Sequence, residues 1–307
     1  MDYRLALGVA LFLTACSGNP MADAGSGDGG GGGGAPVENP VPANLAGDVS
    51  NITFDAATDT LKVRMNSLDD APQTVEYRRN PALDVPGYRG FSVQDDPLDR
   101  MFVAMTAESA DGSVEAAAIS DGGQFNRYYS GTYFRRNSGN VPTTGQVSYA
   151  GTYAGVTNLN ASGENLLPVP PGTDPALIPD EPMRTQGKVF LNVNFDDAAV
   201  TGVVTDRRLV GGGSLKDVAL VDGVIDENGQ FTGEAEFDGR PDDGDQGDFG
   251  GVFGGRDGAA VAGTVVLDNI FLSDDPRNSE FDAEVGVFVL PRCNQPGAPA
   301  ICDQVNP

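Results

Sequence analysis

Apolar and polar residues alternate with a period of two from about residue 48 onward, and no window of a dozen residues carries an apolar stripe of helical period. The segment GKVFLNVNF shows the alternation most clearly, because one of its faces holds a row of apolar side chains: Val189, Leu191, Val193 and Phe195. Turn-forming pairs such as Asp-Gly and Asn-Gly separate these segments. The pattern predicts an all-β fold.

Residues 141–292 hold about eight such segments: YAGTYAGV, KVFLNVNF, AVTGVVTD, DVALVDGVI, QFTGEAEF, DFGGVFG, AVAGTVVLD and FDAEVGVFVL. Eight antiparallel strands can close into a barrel that side chains fill, and closure removes the exposed strand edges. We therefore predict a C-terminal eight-stranded antiparallel barrel with Phe231, Phe249 and Phe253 in its lumen.

Two details of the barrel follow from the same pattern. Asn228 and Gly229 are expected to close a hairpin, because Asn-Gly supplies the positive φ angles of a tight turn. The last strand is expected to place a row of side chains on one face: Phe281, Ala283, Val285, Val287 and Val289.

Residues 48–140 are predicted to form a smaller, handle-like β domain before the barrel. NITFDAATDTLKVRM is typical of a hairpin, RMFVAMTAES and SVEAAAIS of two strands around a turn at Asp111-Gly112, and NRYYSGTYFRR of at least one further strand. Between the first two barrel strands, residues 160–184 contain six prolines without periodicity, which predicts a long loop. Loops of this length are uncommon without a function or disorder.

The glycine-rich segment GDFGGVFGGRDGAAVAGTVVL raises the alternative of a phosphate-binding loop. It has neither GxGxxG nor Walker spacing, and Lys216 in GGGSLK does not follow glycine directly. No helix signal follows either cluster, so no helix N-terminus is available to hold a phosphate. Apolar residues alternate instead on both arms around Gly255 to Gly258, which predicts a hairpin whose glycines allow strong curvature.

The chain begins with a short charged start, an apolar run from Leu5 to Ala15, and the sequence LTAC. The run is too short to span a bilayer. The pattern resembles a bacterial lipoprotein signal peptide over residues 1–15, with Cys16 as the lipidated residue. An ordinary signal peptide that contains a cysteine is the alternative. Residues 16–47 are rich in glycine and proline and predict a flexible tether. The residue after Cys16 is Ser17 and not aspartate, which favours the outer membrane as the location of the lipoprotein.

Composition excludes several classes of function. The chain of 307 residues has 19 basic and 44 acidic residues, a net charge of -25, so nucleic acid is an unfavourable partner. It has no histidine, which excludes a Ser-His-Asp triad and His-ligated zinc or haem. A carboxylate pair could still act as acid and base, but spacing identifies none. We expect a protein that is not an enzyme and has no cofactor.

The remaining cysteines, Cys293 and Cys302, lie close together in the tail 293–307, where two cysteines of an exported protein are expected to pair. The acidic turn from Asp238 to Asp248 holds five carboxylates. Calcium is an alternative there, but the EF-hand order is missing and a solvated turn is favoured.

The first domain concentrates tyrosine and arginine in VEYRRNPALDVPGYRGF and FNRYYSGTYFRRN. These two residue types dominate protein interfaces. Local ion pairs and stacking within the domain are the alternative. The hypothesis is that this face, together with the proline-rich loop, contacts a ligand through five residues: Tyr128, Tyr129, Tyr133, Arg135 and Arg136.

Three segments of the C-terminal half resemble the transferrin-binding protein B family. They are VPTTGQVSYAGTYAG, GKVFLNVNFDDAAVTGVVTD and the glycine-rich segment quoted above, in the family's order over roughly residues 141–290. The resemblance implies a surface lipoprotein of Gram-negative bacteria with a barrel beside a handle domain, and the family includes single-lobe relatives such as factor H-binding lipoproteins. It carries over no binding residue.

These observations together predict a non-catalytic binding module for a protein or small solute, held at the outer membrane by its lipid and facing the cell surface or the periplasm. A role in nutrient or iron acquisition fits this prediction. The alternative is a structural or adhesion lipoprotein of the envelope without a small ligand.

Overall fold

The computed structural model describes residues 41–55, 57–66, 72–124, 127–240, 244–279, 281–295 and 298–305. The two α-helices in this part of the chain are short, α1 (Ala43–Ala46) and α2 (Cys302–Val305), and single 3₁₀ turns cover Pro81–Leu83 and Pro175–Leu177. Neither α-helix has the length or the apolar character needed to cross a bilayer. The predicted all-β class is confirmed.

The N-terminal sheet contains seven antiparallel strands in chain order: β1 (Val49–Asp55), β2 (Thr60–Met65), β3 (Gln73–Arg79), β4 (Arg89–Val93), β5 (Phe102–Glu108), β6 (Val114–Asp121) and β7 (Ser130–Arg136). The sheet curls until its ends meet, and the Asp48 N–H donates to the Ser130 carbonyl at 2.8 Å. Its concave face encloses a core that includes Phe54, Tyr77 and Phe91. This sheet is the smaller β domain that the sequence predicted.

The C-terminal barrel contains eight antiparallel strands: β8 (Gln146–Asn160), β9 (Pro182–Asn194), β10 (Ala199–Leu209), β11 (Val218–Ile225), β12 (Gln230–Phe237), β13 (Asp245–Gly254), β14 (Ala260–Leu267) and β15 (Glu284–Pro291). Pairing of β15 with β8 closes the barrel, with Gly286 opposite Gly155. The predicted eight-stranded closed barrel is therefore confirmed.

Phenylalanine rings fill the barrel lumen. Phe231, Phe249 and Phe253 are each at most 1% exposed, as predicted, and the ring centroids of Phe231 and Phe253 lie 5.1 Å apart. Glycines of the segment GDFGGVFGGRDGAAVAGTVVL make room for such rings, because a Cβ on Gly251 would lie 2.6 Å from the Phe231 ring and one on Gly263 would lie 2.4 Å from the Phe288 ring. Curvature and ring packing thus explain the glycines of this segment better than a phosphate site does.

A second core lies between the sheet and the outside of the barrel. The β6 strand is buried along its whole length, because one face lines the core of the sheet and the other contacts the barrel. Across the interface, β15 contributes Val285 and Val287, while its Phe288 and Leu290 point into the lumen. The row predicted for the last strand therefore faces the N-terminal sheet, not water.

Phe281 is an exception to that predicted row. The strand begins at Glu284, and Phe281 lies in the preceding loop with 79% of its surface exposed. The alternation of FDAEV continues the pattern of a strand. Here, however, the backbone bonds to the Asn158 side chain: its Nδ2 donates to the Phe281 carbonyl and its Oδ1 accepts from the Ala283 N–H. This detail of the prediction is wrong.

The folded part also begins earlier than predicted. Val41 and Leu45, placed in the tether by the sequence, are buried between the sheet and the barrel. A Cβ on Gly250 of β13 would lie 2.5 Å from Leu45 Cδ1, so the segment packs directly on the barrel. Cys16 and the signal segment lie outside the described residues, and their roles stay predictions.

Two smaller features complete the barrel. In the β11–β12 turn only Gly229 has a positive φ angle, while the Asp226 carboxylate accepts from the Asn228 N–H at 2.8 Å and shapes the loop. The expectation of two positive φ angles is thus wrong for Asn228. In the tail, Cys293 and Cys302 form a disulfide bond.

Candidate functional site

The two ends of the barrel differ in loop length. At one end three short turns join the strands, at residues 195–198, 226–229 and 255–259. At the other end four longer connections leave the barrel, at residues 161–181, 210–217, 238–244 and 268–283. Loops held by a rigid scaffold are where binding residues concentrate. The long-loop end is therefore the first place to look for a site.

A cleft of about 700 Å³ opens at this end, between the barrel and the loop that joins β6 to β7. We call it the end cleft. Three segments that are distant in sequence line it: the β6–β7 loop, the two ends of the proline-rich loop, and the β14–β15 loop. The lining residues are Gly122, Gly123, Gln124, Arg127, Tyr128, Asn158, Asn160, Asp180 and Phe281.

The β6–β7 loop is held in place by Arg100. Its guanidinium pairs with the buried Asp121 carboxylate and donates to the carbonyls of Gln124 and Arg127, and it stacks 5.2 Å from the centre of the Tyr129 ring. Burial raises the pKa of Asp121, and the Arg100 pairing and the Tyr129 N–H oppose that rise. The loop is thus fixed by charge-assisted hydrogen bonds.

The proline-rich loop is fastened as well. Within the loop, the buried Glu181 carboxylate accepts from Asn165 Nδ2 at 2.6 Å and from its N–H at 3.1 Å. From the sheet, Gln94 Oε1 accepts from the Leu167 N–H at 2.7 Å, and Gln124 Nε2 donates to the Leu177 carbonyl at 3.2 Å. A loop ordered in advance loses less entropy when it binds.

Glycine permits the close approach of the two loops. A Cβ on Gly122 would lie 2.3 Å from the carbonyl oxygen of Asp180, so no other residue fits there without a shift of the backbone. Burial raises the pKa of the Asp180 carboxyl, and a hydrogen bond from the Asn160 side chain opposes this. Gly122 therefore allows the two loops to approach each other closely at the end cleft.

The cleft carries a cationic side chain, Arg127, and two aromatic ones, Tyr128 and Phe281. Among the residues that the structure describes, no carboxylate forms an ion pair with the exposed Arg127 guanidinium. Tyr128 is half-buried, accepts a hydrogen bond from Ser120 Oγ at 3.1 Å, and has its pKa raised by burial, so it stays a neutral phenol. Phe281 projects into solvent beside them. A cation, a phenol and an exposed ring are typical of protein-binding surfaces.

Of the five residues predicted to contact a ligand, only Tyr128 lines the end cleft. Tyr133 is 3% exposed in the core of the sheet, and Arg135 pairs with the buried Glu115 carboxylate. Arg136 reaches the barrel instead, where its Nη2 donates to the Asn228 carbonyl at 3.0 Å. Tyr129 lies under Arg100, as described above. The five therefore do not form one face, because successive residues of β7 point to opposite sides of the sheet.

Several residues of the cleft carry no signal in the amino-acid sequence. Asn158, Asn160 and Asp180 come from strand ends and a loop, where polar residues are ordinary, and Phe281 was assigned to a strand. The predicted acidic turn is described only at residues 238–240 and 244–248. Within the parts of the chain that are described, no group of three or more acidic or cysteine side chains is arranged to hold a metal ion.

Comparison with known proteins gives a result for the barrel. Residues 141–289 match the family model for the C-lobe and N-lobe β-barrels of transferrin-binding protein B. The match covers the barrel domain and not the N-terminal sheet. A search of curated proteins found no match. The resemblance that the sequence motifs indicated is confirmed for this region.

Two solved structures are also similar to this chain. One is intact Ap-TbpB, with N and C lobes, at 14% identity and a TM-score of 0.40. The other is a double mutant of the vaccine antigen transferrin-binding protein B from Haemophilus parasuis Hp5, at 17% identity and a TM-score of 0.41. Each alignment covers 80% of this chain, but only 46% and 45% of the respective relative. This chain thus corresponds to less than half the length of these proteins.

Proposed function

We propose that this protein is a non-catalytic binding module that captures a protein partner at the end cleft. The observation that carries the proposal is the convergence of three loops at one end of a closed barrel. Between them lie a neutral tyrosine, an exposed phenylalanine and an arginine that has no carboxylate partner among the described residues. Interfaces draw most of their binding energy from a few such side chains.

The barrel match supports a binding role, because the matched family is named for transferrin binding. Transferrin itself is the first protein to test as a partner, and iron acquisition is the role that would follow. In this proposal Cys16 carries the lipid, residues 17–40 form the tether, and the module faces the surface of the outer membrane.

The test uses the full chain on intact cells. Labelled transferrin, and then labelled proteins of the native growth medium, are titrated onto cells that display the protein. We expect one saturable protein partner, and a Cys16→Ser variant is expected to lose capture because it no longer stays on the cell. The proposed function would be overturned if neither transferrin nor any protein of the growth medium bound saturably.

The site is tested separately with a triple variant, Arg127→Ala, Tyr128→Ala and Phe281→Ala. Because hot-spot residues dominate affinity, its binding should weaken by about tenfold or more. The matched control is Arg256→Ala with Val224→Ala, which removes a 94%-exposed arginine side chain and a 64%-exposed valine elsewhere on the barrel. Equal binding by the triple variant and the control would place the partner at another surface.

A further inference from the structure

The N-terminal sheet is split between β3 and β4. These two strands pair only at Arg78 with Ser92 and at Arg79 with Phe91, whereas β3 pairs with β2 along six positions from Gln73 to Arg78. Beyond Ser92 the chain turns away through the segment Gln94 to Asp99. One edge of β3 is therefore left without a neighbouring strand among the described residues.

The hydrogen-bond pattern shows which groups lie on that edge. The Asn80 N–H donates to the Gly90 carbonyl at 2.9 Å, so Asn80 directs its backbone groups toward β4. Alternate residues of a strand direct these groups to the same side. Thr74 and Glu76 therefore point theirs toward the open side, while Val75 between them bonds to β2. No described strand pairs with Thr74 or Glu76 on the open side.

A groove of about 760 Å³ lies along this edge. Val75 and Val93 line it on the side of the core of the sheet, and Met101 and Leu167 of the proline-rich loop are further apolar lining residues. Its outer rim is polar and carries Glu76, which is exposed. Edges of this kind are normally shortened, charged or covered, since they can pair with another chain.

We infer that this edge binds an extended segment of a protein partner, which adds a strand between β3 and β4. Backbone groups of Thr74 and Glu76 would supply the hydrogen bonds, as in other cases of strand addition. Alternate side chains of the segment then lie on the side of Val75 and Val93, and the intervening ones lie on the side of Glu76. The inference concerns a sheet edge outside the end cleft and holds whether or not the end cleft binds a protein.

The rim specifies the charge of the segment. Among the described residues that line the groove, Glu76 and Asp95 are acidic and only Arg78 is basic, and the whole chain carries a net charge of -25. A segment that alternates valine with lysine is therefore favoured over one that alternates valine with glutamate, because like charges across a strand pair are destabilising.

The experiment uses two fluorescent peptides of about eight residues, a usual strand length, one alternating Val and Lys and one alternating Val and Glu. Fluorescence anisotropy with the full chain should show saturable binding of the lysine peptide and binding about tenfold weaker for the glutamate peptide. Hydrogen exchange of the Thr74 and Glu76 amides should slow on addition of the lysine peptide. Absence of binding, or exchange unchanged at both amides, would overturn the inference.

Two variants separate strand addition from charge attraction. Thr74→Pro removes an edge N–H without touching the bonds to β2, as proline is tolerated on edge strands, and it should abolish peptide binding with the melting temperature nearly unchanged. Glu76→Gln keeps the edge and should reduce only the preference for lysine. Tight peptide binding by Thr74→Pro would contradict the inference. So would a concentration-dependent dimer of the free protein that Thr74→Pro dissolves, because a second copy would then cover the edge.

Discussion

The barrel and the N-terminal sheet are both antiparallel meanders, but they differ in how completely their strand edges are paired. In the barrel, β15 returns to β8 and every strand has two neighbours. In the sheet, the β3–β4 pair is reduced to two positions and a groove opens beside it. The closed barrel can serve as a rigid support. The surfaces that we propose for binding are the open edge of β3 and the end cleft, whose loops come from both regions.

The two regions also differ in how they seal their interiors. The long-loop end of the barrel lumen is closed by a buried ion pair, in which Arg207 Nη2 lies 2.8 Å from Glu284 Oε2. Tyr153 and Thr185 donate hydroxyl hydrogen bonds to Glu284 Oε1 at 2.6 and 2.9 Å. Burial raises the pKa of Tyr153, and the Glu284 carboxylate adds to that rise. In the N-terminal sheet, the buried Glu115 carboxylate pairs with Arg135.

The largest effect is expected from breaking the barrel pair. Arg207→Met leaves the Glu284 charge buried without its cation, which should lower the free energy of unfolding by about 3–5 kcal/mol. The double variant Arg207→Met with Glu284→Met should recover most of that loss. Urea unfolding of both variants measures the difference. A single variant as stable as the wild type would mean that the lumen end is open to water.

A smaller effect, dependent on pH, is expected in the sheet. Burial raises the pKa of Glu115 to about 7, against the opposing influence of Arg135 and Asn137, and Glu108 adds to the rise. The folded state therefore holds a proton that the unfolded state has already released. Stability from this group is present below the usual carboxyl pKa and declines as pH rises through about 7.

Glu115→Gln removes this titration. Relative to the variant, the wild type should lose about 2 kcal/mol of stability between about pH 5 and about pH 8, since each pKa unit corresponds to about 1.4 kcal/mol. Thermal unfolding of both proteins across that range measures the relative slope. Parallel pH profiles for the two proteins would show that the Arg135 charge already holds Glu115 ionised.

The same contrast explains how far the sequence could predict the structure. In strands with one buried and one exposed face, such as GKVFLNVNF, the alternation shows which side chains are buried. The phenylalanines of the lumen were predicted correctly for this reason. The β6 strand VEAAAISD is buried on both faces, so its pattern could not show that one face contacts the barrel. The same limit explains why Val285 and Val287 were assigned to a face but not to a neighbour.

The end cleft could be predicted only in part. The tyrosine- and arginine-rich segment and the proline-rich loop both contribute lining residues to it, while their contact with a ligand stays a prediction. However, the side chains that line it come from positions near 122, 158, 180 and 281, which meet only because the barrel closes and the sheet docks on it. Alternation along β7 assigned Tyr133 and Arg136 to opposite sides, and neither side is the cleft.

Backbone hydrogen exchange of the free protein tests the central division between a closed barrel and an open sheet most directly. Amides of Val265 and Phe288 in the barrel, and of Val75 on the bonded side of β3, should exchange only through large-scale opening of the fold. Those of Thr74 and Glu76 should exchange nearly as fast as in an unfolded peptide. Protection of Thr74 and Glu76 equal to that of Val75 would contradict the account.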